Sequence, residues 1–453
     1  MRTNIWENYQ GEKRNEVEDF CRGYREFISN CKTERECVKY AISEAEKHGF
    51  VSLKSKIEKN EKIKPGDKVY SVNMDKGIVL YVAGKKKVEE GLNIIGAHID
   101  SPRLDLKAKP LYESQGFCML DTHYYGGIKK YQWLAIPLAL HGVVVKKDGS
   151  KIDFVLGEGE DNAFAITDLL PHLENRDRKP VGGEELNVIA GNIGDPTKDK
   201  NKFKGYILDI LKKNGVEEED FFSAEIEVVP AGKAKNLGLD NSMILGYGQD
   251  DRVCAYTGMQ AVFKVENPEY GVVNLLVDKE EIGSMGATGM QSRFFENCIA
   301  EILNMSGQYS ELALRRALAN SNMLSSDVTA GVDPNFVDPF NVETDAHLAR
   351  GISFNKFTGS RGKYDANDAN PEFIAKLRDC LDKEGIKYQA TEMGKVDQGG
   401  GGTIAYIMAN FGMNVIDAGV PVLNMHAPWE IVSKVDVYET YRCYKAFYGM
   451  KVK

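Results

Sequence analysis

The sequence predicts an α/β fold: a mixed, largely parallel sheet sandwiched by helices, with an inserted β-rich domain. Three observations carry this. From about Ala231 onward, short apolar runs alternate with stretches whose apolar residues recur at helical spacing, the pattern of a sheet with crossover helices. The run Asn93-Ile94-Ile95-Gly96-Ala97 is apolar without alternation, as for a strand buried on both faces. Between Pro102 and about Lys235 the texture is different, β-rich and then polar and loop-like.

Element by element, apolar residues at Val17, Phe20, Tyr24, Phe27 and Ile28, then at Cys37, Tyr40, Ala41 and Ala45, predict two amphipathic helices between Asn15 and His48. Pro65-Gly66 marks a turn, and short strands follow at Val69–Val72 and Ile78–Val82. Leu104 to Val145 and Lys151 to Leu156 read as β-rich, Glu174 to Lys204 as polar loops, Phe203–Asn214 as a helix and Phe222–Pro230 as a returning strand. Helices are then expected at Val253–Val265, Gly289–Asn304, Tyr309–Asn320, Pro371–Glu384, Thr403–Phe411 and Val435–Tyr448. Strands are expected at Val272–Val277, Met323–Ser326, Ile352–Phe354 and Val415–Ala418. The domain reading is 1–102 and 236–453 for one domain and 103–235 for the insert.

At 453 residues the chain is too long for a single small module, and 42% hydrophobic residues allow a core without disulfide or metal staples. With 67 acidic against 58 basic side chains the net charge is −9, which argues against nucleic acid or an anionic membrane as the partner. Eight scattered cysteines with no CxxC pair fit a reducing compartment. The first twenty residues are polar, and the longest apolar run, Trp133 to Val145, is too short for a bilayer that needs about 20 residues. The expectation is a cytoplasmic protein.

Four motifs place a metal-competent side chain near the end of an apolar run: Ala97-His98-Ile99-Asp100-Ser101-Pro102, Gln249-Asp250-Asp251-Arg252, Asp278-Lys279-Glu280-Glu281-Ile282-Gly283, and Leu423-Asn424-Met425-His426-Ala427-Pro428. Ser325-Ser326-Asp327 is a fifth. Open α/β sheets bind ligands at the carboxyl ends of their strands, and two histidines with several carboxylates suit zinc, with manganese or cobalt as substitutes. Singly, each motif is equally a helix cap or a satisfied polar group; their conjunction points to a metal. Asp100, two residues after His98, matches a carboxylate that orients a ligating imidazole. Of Glu280 and Glu281, one can bind metal while the other takes a proton from water.

These residues resemble the aspartyl aminopeptidase (aminopeptidase I) family of co-catalytic zinc metallopeptidases, in a bacterial-type member. Gly96-Ala97-His98-Ile99-Asp100-Ser101-Pro102, Tyr125-Gly126-Gly127-Ile128, Leu170-Pro171-His172-Leu173, Asp250, Glu280-Glu281-Ile282-Gly283-Ser284, Ser326-Asp327, Gly402-Thr403-Ile404 and Asn424-Met425-His426 carry the likeness in order. The resemblance implies a zinc exopeptidase-like fold whose β-rich insert is a dimerisation domain, and a tetrahedral homo-dodecamer. It also implies hydrolysis of N-terminal residues from peptides with a free N-terminus, by two zinc ions per subunit. His98 and Asp327 would hold one zinc, Glu281 and His426 the other, and Asp250 would bridge them. Glu280 would be the general base, Asp100 would orient His98, Lys356 would bind substrate, and His172 would reach a neighbouring subunit's site. Asp251 replaces an asparagine that often follows the bridging aspartate.

Two other readings compete: a metal-stabilised assembly without turnover, and another metal-dependent amidohydrolase, such as a carboxypeptidase or deacylase, on the same architecture. Gly399 to Gly402 lacks the lysine of a phosphate loop, and no GxSxG elbow occurs. His48 and His347 are expected in solvent, His123 and His141 packed in the insert, and Trp6, Trp133 and Trp429 in core or interface, with pocket lining the alternative for Trp429.

Overall fold

A computed structural model describes residues 3–159, 162–174, 180–364 and 366–452. The chain forms two compact units. One comprises Met1–Asp100, Ala234–Met425 and Glu430–Lys453; the other comprises Ser101–Lys233 with His426–Trp429.

The first unit is built on a nine-stranded sheet. Its order is Val51–Ser52, Lys68–Asn73, Gly77–Val82, Gly271–Val277, Leu92–His98, Asn322–Ser325, Asn414–Gly419, Ile352–Asn355 and Tyr388–Thr391. Five of the eight pairings are parallel, which makes the sheet mixed and largely parallel. Strand side chains alternate between faces, and each central strand divides its apolar residues between two cores. Ile78, Leu80, Val82, Ile95, Ala97, Val272 and Leu276 enter one core, while Val79, Tyr81, Leu92, Ile94, Val273 and Leu275 enter the other. Helices Glu12–Asn30, Glu34–Lys47, Gln249–Phe263, Pro371–Lys383 and Lys434–Tyr448 cover the first face. Phe294–Met305, Glu311–Ala319 and Ala405–Ala409 cover the second.

The two N-terminal helices are separated by a capping box. Thr33 Oγ1 accepts the Glu36 N–H (3.3 Å) while Glu36 Oε2 accepts the Thr33 N–H (3.0 Å), so the second helix starts where the first cannot continue. The predicted helix Gly289–Asn304 starts later than its spacing indicated, at Phe294. Residues before it are held in a loop by Asp278, whose N–H donates to Thr288 O (3.3 Å) and whose Oδ2 accepts the Thr288 hydroxyl (2.5 Å). The lysine-rich stretch after Val51 contains a short helix, Leu53–Glu58, that periodicity did not show. Among the described residues no helix is long and apolar enough to cross a membrane.

The second unit is a six-stranded antiparallel sheet, in the order Lys151–Leu156, Leu138–Val145, Ala224–Pro230, Arg103–Ser114, Phe117–Tyr125 and Val188–Gly191, with the helix Lys202–Lys213. Part of the polar stretch Glu174 to Lys204 lies outside the described residues. His141 is buried, as expected, beside Glu158 (3.0 Å). His123 is exposed and stacked on Tyr124, and in the first unit His48 is stacked on Phe263 rather than solvated.

Gly142, at φ 154°, lets two strands of the insert pair. A Cβ there would lie 1.9 Å from the Glu225 carbonyl oxygen. Gly142→Ala is expected to destabilise the protein by roughly 2–4 kcal/mol, read as a lowered urea midpoint. Gly149→Ala, at φ 85° with open space around it, carries only the backbone part, about 1 kcal/mol. Equal losses at the two glycines would refute the close-approach explanation.

Candidate metal centre

Three adjacent parallel strands end together. Val277 lies opposite His98 and Ser325 opposite Gly96, so Glu280-Glu281 and Asp327 leave the sheet beside the imidazole. Lys279, at φ 68°, turns the chain into the short 3₁₀ helix Glu280–Ile282. Asp250 and Asp251 begin the helix Gln249–Phe263 with non-helical dihedral angles. That start is anchored by Glu430, whose carbonyl accepts the Gln249 amide (2.5 Å) and whose Oε2 accepts the Asp250 N–H (3.1 Å).

The buried His98 ring meets carboxylates on both sides. Nδ1 is 3.0 Å from Asp100 O and 3.3 Å from Asp100 Oδ1. Nε2 is 3.1 Å from Asp250 Oδ1 and 3.8 Å from both Glu280 Oε2 and Asp327 Oδ1. Asp100 also accepts the N–H groups of Glu280 and Glu281, each at 3.1 Å, so one buried carboxylate fixes the imidazole and both glutamates. Two groups of ligand atoms lie within 4.8 Å of one another: His98, Asp250 and Glu281, and His98, Asp251 and Asp327.

Electrostatically the pocket is overloaded with negative charge. Burial is the main cause that pushes Glu280 up to about 8; His98 opposes it, while Asp327, Asp100 and Asp250 add to it. Asp251 is raised well above the carboxylate range, chiefly by burial and then by Asp327. Burial by itself lowers His98, but hydrogen bonds to Asp100, Asp250 and Asp327 outweigh it and leave the ring well above its ordinary value. One imidazole nitrogen with several carboxylate oxygens is a donor set that fits zinc, and a cation offsets charges that otherwise repel.

Of the predicted residues, the structure brings together His98, Asp100, Asp250, Glu280, Glu281 and Asp327. His426 belongs to the other compact unit, where Nδ1 lies 2.9 Å from Gly127 O at a φ of 65°. His172 sits exposed in a turn of that unit. Lys356 follows the strand Ile352–Asn355, half exposed, with Nζ 3.9 Å from Asp368 Oδ1. Sequence reasoning missed Asp251 as a candidate ligand and Glu430 as the anchor of the Asp250 turn. The doubled aspartate was a usable signal; nothing marked Glu430.

Carboxylates gathered on a histidine at the strand ends of an α/β sheet fit the class of metal-dependent hydrolases. Comparison with known proteins makes the class specific. Residues 27–448 match the family model described as aminopeptidase I zinc metalloprotease (M18). The chain is 54% identical to the probable M18 family aminopeptidase 1 of Clostridium acetobutylicum, over 98% of this chain and 97% of that one. The crystal structure of an M18 family aminopeptidase from Thermotoga maritima superposes with a TM-score of 0.95 at 43% identity, covering 100% of both chains. A solved dodecamer of S. cerevisiae mApe1, at 21% identity, shares the fold with a TM-score of 0.77 over 95% or more of each chain. The chain belongs to the aminopeptidase I zinc metalloprotease family and is a zinc metalloaminopeptidase.

Two predictions follow from the charge. Burial also pushes Asp417 up to about 7 and Asp436 to about 8. With Glu280, these groups keep protons in the folded metal-free protein that unfolded carboxyls release near pH 4. The folded state then binds more protons between about pH 4 and 8, so stability falls as pH rises through that window. The melting temperature of chelator-treated protein is expected to drop across it, and the gain on adding zinc to grow, because metal displaces protons; a flat or rising profile would count against this. Asp100→Ala, which frees the imidazole and both glutamate N–H groups, is expected to weaken zinc binding about 10- to 100-fold in competition titrations.

Proposed function

We propose that the chain removes N-terminal residues from peptides with two zinc ions per subunit and Glu280 as general base. The observation that carries this is one buried imidazole nitrogen facing Asp250, Glu280 and Asp327 at 3.1 to 3.8 Å.

His98 and Asp327 are assigned to one ion, Glu281 and His426 to the other, and Asp250 to both, with His426 resting on the sequence resemblance. Manganese or cobalt can substitute. When bound, zinc supplies a Lewis acid for the scissile carbonyl and for water. Glu280 takes the proton of the attacking water and returns it to the leaving amine. Burial holds its carboxyl well above the ordinary range, toward the working pH at which a base can both accept and return a proton. Asp100 holds the Glu280 main chain in place. A free α-amino group on the substrate distinguishes this reaction from deacylation and carboxypeptidase cleavage.

Lys356 is assigned to pairing with an acidic side chain of the N-terminal residue, in exchange for its contact with Asp368. His172 is assigned to a neighbouring subunit's site, residues 103–235 to dimerisation, the assembly to a tetrahedral homo-dodecamer, and the location to the cytoplasm.

Glu280→Gln is expected to lower kcat by about 10³-fold or more while zinc content stays unchanged. In the wild type, aminoacyl amides with a free amine are expected to turn over and their acetylated forms not; cleavage of the acetylated forms would overturn the aminopeptidase reading. Lys356→Met is expected to raise KM about tenfold for an N-terminal Asp or Glu and leave neutral residues unaffected. Equal effects on both classes would remove Lys356 from the specificity site.

A further inference from the structure

We propose a second binding site, for a divalent oxyanion of the phosphate or phosphomonoester class, at the edge of the nine-stranded sheet. A cleft of about 340 Å³ opens there, and its lining contains Arg350 and Lys387 but no Asp or Glu. None of its residues belongs to the metal centre. In the sheet order, the strands that carry the two cations are separated from the His98 strand by Asn322–Ser325 and Asn414–Gly419.

The two cations precede neighbouring strands of the sheet and line the same cleft. Arg350 lies two residues before the strand Ile352–Asn355 and Lys387 immediately before Tyr388–Thr391; these strands are parallel, with Ile352 opposite Tyr388. Gly351, at φ 89°, comes so close that a Cβ on it would sit 2.0 Å from the Lys387 carbonyl oxygen. Only glycine allows that approach. Both flanks are tied to the helix Lys434–Tyr448: Asp436 accepts the Ala349 N–H (2.6 Å) and the Gly351 N–H (2.7 Å), and Glu439 accepts the Lys387 N–H (3.0 Å).

The side-chain charges are not matched in the same way. Among the described residues neither the Arg350 guanidinium nor the Lys387 ammonium has an ion-pair partner. In a chain of net charge −9, two cations lining an acid-free cleft are a local excess of positive charge that an anion offsets. A planar guanidinium fork beside a compact ammonium matches a tetrahedral oxyanion, and Asn8 and Thr3 add an amide and a hydroxyl donor. An adjoining cleft of about 450 Å³ shares Asn8 and Lys387. It is bordered by Lys13 and Arg442 but also by Glu16, Glu384 and Glu439, so the dianion is assigned to the acid-free half and the organic part of a monoester to the other.

The test is calorimetric titration of full-length, zinc-loaded enzyme with inorganic phosphate and, separately, glycerol 3-phosphate, in the wild type, Arg350→Met and Lys387→Met. Saturable binding of one anion per chain is expected, weakened about tenfold or more by either substitution, with peptide turnover in anion-free buffer unchanged in both variants. Phosphate held on zinc would be indifferent to both substitutions. Wild-type binding that is absent, or equal to that of both variants, overturns the proposal. Tighter binding of glycerol 3-phosphate assigns the site to a monoester, and tighter binding of phosphate to the free ion.

Discussion

The rest of this molecule is arranged around one electrostatic liability, a set of carboxylates that face one another across a single buried imidazole. In water such groups cost little; in a dry pocket each additional ionised acid raises the others. Two remedies exist, protonation and a bound cation, and burial that raises Glu280 and Asp251 makes them alternatives: a cation that binds displaces the protons. Asp100 turns its oxygens to the imidazole and to two backbone N–H groups. Asp251 accepts the His98 N–H. Arg252, the adjacent buried cation, is turned to Ile99 O at 3.1 Å and lies over the Tyr247 ring.

Sheet register does the gathering. The strands that end in His98, Val277 and Ser325 are neighbours and parallel, so the residues just beyond them emerge at one level. Buried on both faces, these strands are fixed by two hydrophobic cores at once; a one-residue slip would exchange the core-facing residues and carry the carboxylates away from the imidazole. Stability of the fold and geometry of the site are therefore the same constraint. The geometry of the site is set in part by apolar residues of the two cores.

What the sequence revealed follows from this. His98, Glu280, Glu281 and Asp327 were legible because each terminates an apolar run, and runs of that kind in alternation with helices imply a common edge. Asp100 was legible because its two-residue offset from His98 is a local relation. That Asp251 also reaches the imidazole was not legible, since whether two adjacent aspartates point the same way depends on dihedral angles that only the folded turn sets. Glu430 was invisible: it reaches the site through a short strand, Glu430–Ser433, whose partners are remote in the chain. The late start at Phe294 was hidden for a related reason. A Cβ on Gly289 would lie 2.3 Å from Ser284 O, a close approach that belongs to a loop and leaves no mark in apolar spacing.

Burial of acids alone does not identify the centre, and the contrast with other buried acids shows what does. Asp436 is as deep as Asp100, yet it faces backbone N–H groups at Ala349 and Gly351. Glu439 is met by Tyr9, Arg442 and the Lys387 N–H. Asp278 has Thr288 at 2.5 Å and lysines at 3.3 and 3.9 Å. In each case the protein supplies the compensation from its own chain, and the acid is structural. At His98 the nearest neighbours of each acid include other acids. The same logic with the sign reversed separates Arg350 and Lys387 from the many surface cations that have partners: their backbones are tied down by acids, while their charges are left unmatched. A charge whose backbone is tied and whose side chain faces a cleft without acids draws its counter-ion from solution.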